Sequence, residues 1–414
     1  MGTVLLVSSV DTREKEILFL KELIQGQGCR VLVMDISMGS YREGVADYSC
    51  LDVARAAGIS FQEIAESKDT NKNMEHVLRG SIVIAKDLYE KGLIDGMAGF
   101  GGVSNTTVIS LLMKELPFGF PKLILTTAAA IPAYAAGLFA ETDIAMFHSC
   151  VDVNCLNKFV KSVLTRFAGM IAGAVNMEKV NLSSETVAVA LTEFKFSEKC
   201  TERVRGLLEQ KGFEVVPFSA TGTSDRIMEQ MAFKGLFGGV IDAVPAGLSE
   251  ALLGGNRSAG LDRLDRELAI GIPVILTPCG FDMLSCGPYE RRYSDPFWKK
   301  RRIEKRKLFI PDKFRVQART TKGEMATIAR AFAEKLNKAK GRIAVFIPLL
   351  GFSSLSKPGG PLSDPQSDRI FVRTLKSCIK GDRVEIVEME NSIDDPGFAD
   401  AIAEKFLAEV LATA

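Results

Sequence analysis

The sequence predicts an α/β protein of two lobes, each a parallel, doubly wound Rossmann-like sheet, with a cleft between them. Three observations carry that prediction. The chain has 414 residues, more than one ordinary core accommodates, and 47% of them are apolar against 25% charged, the balance of a globular protein. Short apolar runs alternate with amphipathic ones, which is the pattern of β–α–β units. One itinerary also occurs twice. In the first half a helix ends in Gln27-Gly28-Cys29 before the apolar run Val31–Asp35, and later come Lys91-Gly92-Leu93-Ile94 and Ile124-Leu125-Thr126-Thr127. In the second half Lys211-Gly212-Phe213 precedes Val215–Phe218, followed by Lys234-Gly235-Leu236-Phe237 and Ile275-Leu276-Thr277-Pro278. Each step reads helix, glycine turn, buried strand and polar strand end. In open parallel sheets ligands sit outside the carboxyl ends of the strands, so the repeat also predicts where a site should lie.

The first lobe, residues 1–178, opens with the strand Val4–Ser8 and a helix from Thr12 to Gln27 whose Ile17, Leu18, Leu20, Leu23 and Ile24 fall at helical spacing. Strand Val31–Asp35, a helix from Asn71 to Glu90, a strand at Gly96–Gly99, a helix from Thr106 to Lys114 and strand Lys122–Thr126 follow. A further strand at Ile144–Phe147 and a closing helix at Leu156–Ala174 complete it. The uncharged stretch from Leu123 to Ala140 approaches a membrane span in length. Thr126, Thr127, Pro132 and Gly137 interrupt it, so it reads as a strand and a loop. The polar run from Asn176 to Ser184 reads as the linker.

The second lobe, residues 185–414, has strands at Val187–Leu191, Glu214–Phe218, Val240–Ala243, Pro273–Leu276, Ile343–Ile347 and Val384–Glu388. Helices fall at Thr201–Gln210, Asp225–Phe233, Glu324–Leu336 and Phe398–Leu411. Between Pro278 and Phe314 the chain is aromatic, basic and irregular, and a stretch of that length inside a domain is usually functional. Gly351 to Pro365 reads as a glycine- and proline-rich loop.

Formal net charge is +1, so no global field favours nucleic acid or an anionic membrane. The local exception, Lys299-Lys300-Arg301-Arg302 with Lys305-Arg306-Lys307, reads as a solvated face, and Trp298 beside it either packs the segment down or stacks on a ligand. Eight scattered cysteines without a C-x-x-C pair argue against a disulfide framework. The opening Gly2–Val7 reads as a strand and not as a signal peptide, which places the chain in the cytoplasm.

Three strand ends carry candidate chemistry. Gly99-Phe100-Gly101-Gly102-Val103-Ser104-Asn105-Thr106 joins a strand to a helix. Its glycines allow close approach, its helix N-terminus offers free N–H groups to an anion, and Ser104, Asn105 and Thr106 add donors. Ala220-Thr221-Gly222-Thr223-Ser224-Asp225 repeats those features in the second lobe, at what reads as the equivalent point; a plain capped turn is the alternative. Ser8-Ser9-Val10-Asp11-Thr12 ends the first strand without the G-x-G-x-x-G of a dinucleotide fold, which counts against NAD or FAD. No G-x-x-x-x-G-K-[ST] occurs, excluding a P-loop phosphotransferase. Asp35 stands where an acid would grip ribose hydroxyls, or simply faces solvent. With two histidines and no paired cysteines, zinc is not expected. Magnesium carried by a nucleotide needs only a carboxylate or two, and Asp11, Asp143 and Asp282 are the candidates. His148 with Ser149 and Asp152 is a weak nucleophile candidate, since a triad needs spatial neighbours.

Taken in order, these motifs resemble one family. They are Val10-Asp11-Thr12, Gly99-x-Gly101-Gly102 with Thr106, Thr142-Asp143-Ile144, Ala220-Thr221-Gly222-Thr223, Gly254-Gly255, Asp262-Arg263-Leu264, Asp282-Met283, Arg319-Thr320-Thr321, Pro358-Gly359-Gly360-Pro361 and Asp395-Pro396. The family is that of the ATP-binding domain of the tomato mosaic virus resistance protein and its bacterial relatives, an uncharacterised protein family, and the resemblance spans essentially the whole chain. It implies a two-lobed α/β fold, ATP or a similar nucleotide between the lobes, and a homodimer. In the plant protein it also implies inhibition of a viral replication protein, for which this chain carries no sign. The chain departs from the family pattern at Ser8-Ser9 (usually Gly-Thr), Glu14 (Gly), Val103-Ser104-Asn105 (Ser-Gly-Gly) and Gly247 (acidic). Fewer loop glycines restrict backbone approach to a phosphate, so a smaller anion is the alternative ligand.

The expected ligand set is Ser9, Asp11, Thr12, Asp35, Gly101, Gly102, Ser104, Asn105, Thr106, Thr126, Thr127, Thr221, Gly222, Thr223, Asp282 and Arg319, with ATP, alone or as its magnesium complex, as the cofactor. Arg319 qualifies because a guanidinium can hold a phosphate or carboxylate bidentately. Two other readings stay open: an enzyme acting on a small phosphorylated or carboxylated metabolite, and a non-catalytic regulatory module. No membrane and no nucleic-acid partner are expected.

Overall fold

A computed structural model describes residues 1–139, 141–178, 180 and 187–413. The chain divides into two compact units, Met1–Leu182 and Ser183–Ala414. Most of the predicted linker, residues 179 and 181–184, lies outside the described residues, as does residue 185.

Unit 1 contains strands β1 (Thr3–Ser8), β2 (Arg30–Asp35), β3 (Gly96–Gly101), β4 (Lys122–Thr126) and β5 (Ala145–His148). They form one parallel sheet in the order β2-β1-β3-β4-β5. Successive strand residues point to opposite faces. Val4, Leu6, Ala98 and Phe100 therefore pack beneath helices Val10–Gly26 and Lys158–Asn176, while Leu5, Val7, Met97 and Ile124 pack beneath Cys50–Ala56, Thr70–Glu90 and Val103–Lys114. Both faces are covered, which is why the strands read as continuous apolar runs.

Unit 2 contains β6 (Ala188–Glu193), β7 (Glu214–Ser219), β8 (Gly239–Asp242), β9 (Val274–Leu276), β10 (Met283–Ser285), β11 (Leu308–Phe309), β12 (Gln317–Arg319), β13 (Ile343–Pro348) and β14 (Val384–Met389). Its main sheet is parallel in the order β14-β13-β9-β8-β6-β7. Counted within the unit this is the order of unit 1 with one strand added. Thus β1 corresponds to β6, β2 to β7, β3 to β8 and β4 to β9, which is the pairing the repeated helix–glycine–strand steps predict.

The stretch after Pro278, expected to be irregular, instead carries a small antiparallel sheet, β10-β12-β11. Trp298 is buried and its indole N–H donates to the Cys286 carbonyl at 3.0 Å, so it packs the segment down. The basic run divides: Arg301 and Arg306 pair with Glu324, while Lys299, Lys300, Arg302 and Lys305 face solvent. The expected loop after β4 contains the helix Pro132–Phe139, and a helix at Pro365–Cys378 starts where only a loop was expected. No helix among the described residues is long and apolar enough to cross a membrane.

Candidate functional site

In unit 1 the chain runs from β1 outward to β2 and then returns to the other side of β1 as β3, so strand order reverses between β1 and β3. Such a reversal opens a crevice at the carboxyl ends of the two strands. Residues following β1 and β3 meet there. The Ser9 hydroxyl donates to Asn105 Oδ1 at 2.9 Å, and the Ser8 hydroxyl donates to the Phe100 carbonyl at 2.8 Å. Gly101, at φ +156°, lies against Asn105, and a Cβ there would fall 2.6 Å from the Asn105 side chain. Gly102 caps the helix Val103–Lys114 with no side-chain hydrogen bond, so the first amides of the helix keep their donors for a ligand. Asn105 is buried and its Nδ2 has no hydrogen-bond partner.

One residue absent from the expected set belongs to this cluster. Arg13 breaks the first helix with φ −141° and ψ 26°. Its Nε donates to the Val153 carbonyl at 3.1 Å and its Nη1 to the Thr12 hydroxyl at 2.9 Å. The third nitrogen, Nη2, lies 3.6 Å from where a Cβ on Gly102 would stand. A guanidinium nitrogen and the uncapped helix amides thus meet at Gly102, and the orphan amide donor lies beside the neighbouring Gly101. The sequence signal was a basic residue just past the first strand end, where dinucleotide folds carry glycine.

The other unit 1 candidates separate. Asp11 and Thr12 stand at the same strand end; Asp11 Oδ2 accepts from the Gly39 amide at 3.2 Å, and Thr12 is exposed. Ser104 is exposed on the first turn of the helix. Asp35 turns inward, its Oδ1 accepting from the Val10 and Ser37 amides at 2.9 Å and from the Ser37 hydroxyl at 2.5 Å. Burial raises its carboxyl above the usual range against those bonds. The Thr106 and Thr126 hydroxyls meet at 2.6 Å with no exposed surface, tying the helix start to β4, and Thr127 stands one residue further, half-buried. Asp143 lies at the amino ends of β4 and β5, away from the carboxyl ends, where it pairs with Lys122 at 2.6 Å and accepts from the Gly119 amide; it is not placed to meet a nucleotide's magnesium at the site. His148 Nδ1 contacts the Cys150 thiol at 3.7 Å and the Ser149 hydroxyl has no partner, so the expected Ser–His–Asp neighbours form no triad.

In unit 2 the loop Ala220–Asp225 follows β7, the counterpart of β2. It is therefore not the equivalent of the loop after β3, contrary to expectation, because similar local sequence does not set strand order. Gly222, at φ +95°, is needed for contact with its own chain: a Cβ would lie 2.7 Å from the Ser258 carbonyl oxygen. Its amide donates to Asp225 Oδ2 at 2.6 Å, while Thr221 and Thr223 on either side are exposed. Asp225 belongs to a fully buried cluster around Arg263, whose guanidinium lies 2.6 Å from Asp242, 2.8 Å from Glu229, 3.3 Å from Glu267 and 3.6 Å from Asp225. Four carboxyls around one cation cannot all ionise cheaply in an apolar interior. Burial accordingly raises Asp225, Glu229 and Glu267.

Asp282 and Arg319 come together, but inside the protein. Asp282 accepts from the Gly280 amide at 3.1 Å and the Ser353 hydroxyl at 2.5 Å. Arg319 donates to the Asp282 carbonyl at 2.8 Å and forms a very short contact with Asp368. Asp368, on the unexpected helix Pro365–Cys378, is pushed up to about 7 by burial, against the pull of Arg319. Asp364-Pro365 followed by Phe371, Val372 and Leu375 was the unused signal for that helix: an N-cap, a proline at N1 and helical spacing.

Two family models cover the chain. Uncharacterised protein family (UPF0261) N-terminal domain matches residues 2–180, and its C-terminal domain matches residues 186–410. The chain belongs to UPF0261. It is 31% identical to a UPF0261 protein of Clostridium tetani over 98% of both chains. It is 30% identical over 81% of its length to the ToMV resistance protein Tm-1 of Solanum lycopersicum, of which it spans only 44%. A UPF0261 protein of Brucella suis is 27% identical over 98% of this chain and 96% of its own. A solved UDP-N-acetylglucosamine 2-epimerase from Rickettsia bellii aligns over 61% of this chain and 77% of its own, at 14% identity and a TM-score of 0.22, a likeness too low to carry an argument. UPF0261 membership thus bears out the resemblance read from the motifs and assigns no reaction.

Proposed function

We propose that this UPF0261 protein binds the phosphate of a nucleotide, ATP being the first candidate, at the carboxyl ends of β1 and β3 in unit 1. The observation that supports this most is the buried Asn105 Nδ2, which lacks a partner beside the uncapped helix start at Gly102. A buried donor without an acceptor costs about 1–3 kcal/mol, and a phosphate oxygen would accept from it. Arg13 Nη2 and the amides after Gly102 supply positive potential at the same point. Asp11 is the carboxylate at that strand end that a magnesium ion accompanying the nucleotide would meet. A small phosphorylated metabolite satisfies the same donors and is the second reading.

Calorimetric titration with ATP, ADP, AMP and small organic phosphates, with and without magnesium, tests the proposal. Binding of adenine nucleotides that is lost in Arg13→Ala supports it. Binding only of a small phosphate selects the second reading, and binding of none overturns both.

A homodimer is part of the same proposal. It is supported by the edge strand β5 with exposed Met146 and the neighbouring exposed Ile131 and Tyr134. Light scattering on the eluting protein tests it: a monomer mass across the concentration range rejects it. All eight cysteines are free thiols.

A further inference from the structure

The helix Pro365–Cys378, which bridges β13 and β14, lines a cavity of about 400 Å³ within unit 2. That volume lies within the range of small-molecule pockets. The apolar part of its wall is Leu349, Phe352 and Val372; the polar part is Arg369 and Arg373, one helical turn apart, with Asp368, Lys376 and Glu388. Phe352 and Val372 are buried, whereas both arginines reach solvent.

The charges in the cavity do not cancel. Lys376 is paired with Glu388 and Asp368 with Arg319. Among the described residues the guanidinium groups of Arg369 and Arg373 make no ion pair or hydrogen bond. Two guanidinium groups at i and i+4 lie on one helix face, close enough to bracket a single anionic head group. An apolar wall below them favours a ligand with an apolar body, and burying it there removes that surface from water.

We infer that this cavity binds an amphipathic organic anion, a carboxylate or phosphate ester with an apolar body, its head between Arg369 and Arg373 and its body on Leu349, Phe352 and Val372. The site lies wholly within unit 2 and shares no residue with the unit 1 cluster.

The test is calorimetric titration of the full chain with octanoate and phenyl phosphate, and with inorganic phosphate as the head group alone. At least one organic anion should bind the wild-type protein, and inorganic phosphate at least tenfold more weakly. The double variant Arg369→Gln/Arg373→Gln should bind at least tenfold more weakly than wild type; both positions are exposed, so the fold should survive. Val372→Phe, which fills the cavity from its apolar side, should weaken the organic anions and leave inorganic phosphate unchanged. Absence of binding of both organic anions at millimolar concentration overturns the inference. So does an unchanged affinity in the double variant, or inorganic phosphate binding as tightly as phenyl phosphate.

Discussion

Gly102→Asp separates a phosphate site from an ordinary strand-to-helix turn. Gly102 has φ −75°, which any residue adopts, and the nearest atom to an added Cβ is Arg13 Nη2 at 3.6 Å, an ordinary contact. The substitution therefore introduces no strain. Aspartate is a good N-cap, worth a few tenths of a kcal/mol over glycine. Its charge at a helix N-terminus adds about 0.3–1 kcal/mol, and a partly exposed pair with Arg13 adds about 0.2–1 kcal/mol. The sum is a gain of about 1–2 kcal/mol, or a rise of roughly 2–8 °C in the melting temperature of a unit this size. The same carboxylate would sit where the proposed phosphate sits. Juxtaposed like charges cost several kcal/mol, so nucleotide affinity should fall at least about 100-fold, at roughly 1.4 kcal/mol for each factor of ten. Differential scanning calorimetry reads the first effect and isothermal titration the second. A variant that is as stable as wild type or more so, yet binds ATP within about threefold of wild type, would refute the placement of the phosphate. A variant that loses stability would refute the reading of Gly102 as an open cap.

The remaining predictions concern single groups. Gly101→Ala should destabilise unit 1 by about 1–3 kcal/mol, because its Cβ would press on Asn105 at 2.6 Å, and should weaken the phosphate site with it; denaturant titration and calorimetry check both effects. Arg263→Ala should cost about 3–5 kcal/mol in equilibrium unfolding, since it leaves buried carboxyls without their cation. Asp368 titrates near 7 in the fold against 3.8 when unfolded, so its contribution to stability is fully present below about pH 4 and is lost as pH rises to 7. The change is on the order of 4 kcal/mol at about 1.4 kcal/mol per pH unit. Unfolding of wild type and Asp368→Asn between pH 4 and 8 should show wild type losing this contribution and the variant not. The raised carboxyls around Arg263 act in the same direction, so Asp368→Asn should reduce the loss of stability on alkalinisation and leave part of it.

The parts of this protein that were legible from sequence are local. A strand buried on both faces must be an apolar run, and a parallel crossover must pass through a helix, so Val4–Ser8, Val31–Asp35 and Lys122–Thr126 showed themselves without tertiary information. Ser9, Gly101 and Asn105 were legible as candidates only, because strand ends are where such a sheet places its ligands. Arg13 escaped because its place beside Gly102 depends on a helix break that no local signal announces. The helix Pro365–Cys378 escaped because its proline and the glycines before it read as loop, although proline is an ordinary first residue of a helix.

By itself the sequence determined that the chain makes two α/β units with the same succession of strands, and which loops can carry chemistry. Only the tertiary structure decided which loops face one another. Strand order is set by long crossovers and packing on both faces, not by the residues of a strand end. The Gly222 loop, so similar in composition to the Gly102 loop, therefore follows a different strand and packs against Ser258. For the same reason Asp282 and Arg319 became an interior brace. Each is placed by partners far along the chain, Ser353 and Asp368, whose positions exist only once the sheet has formed.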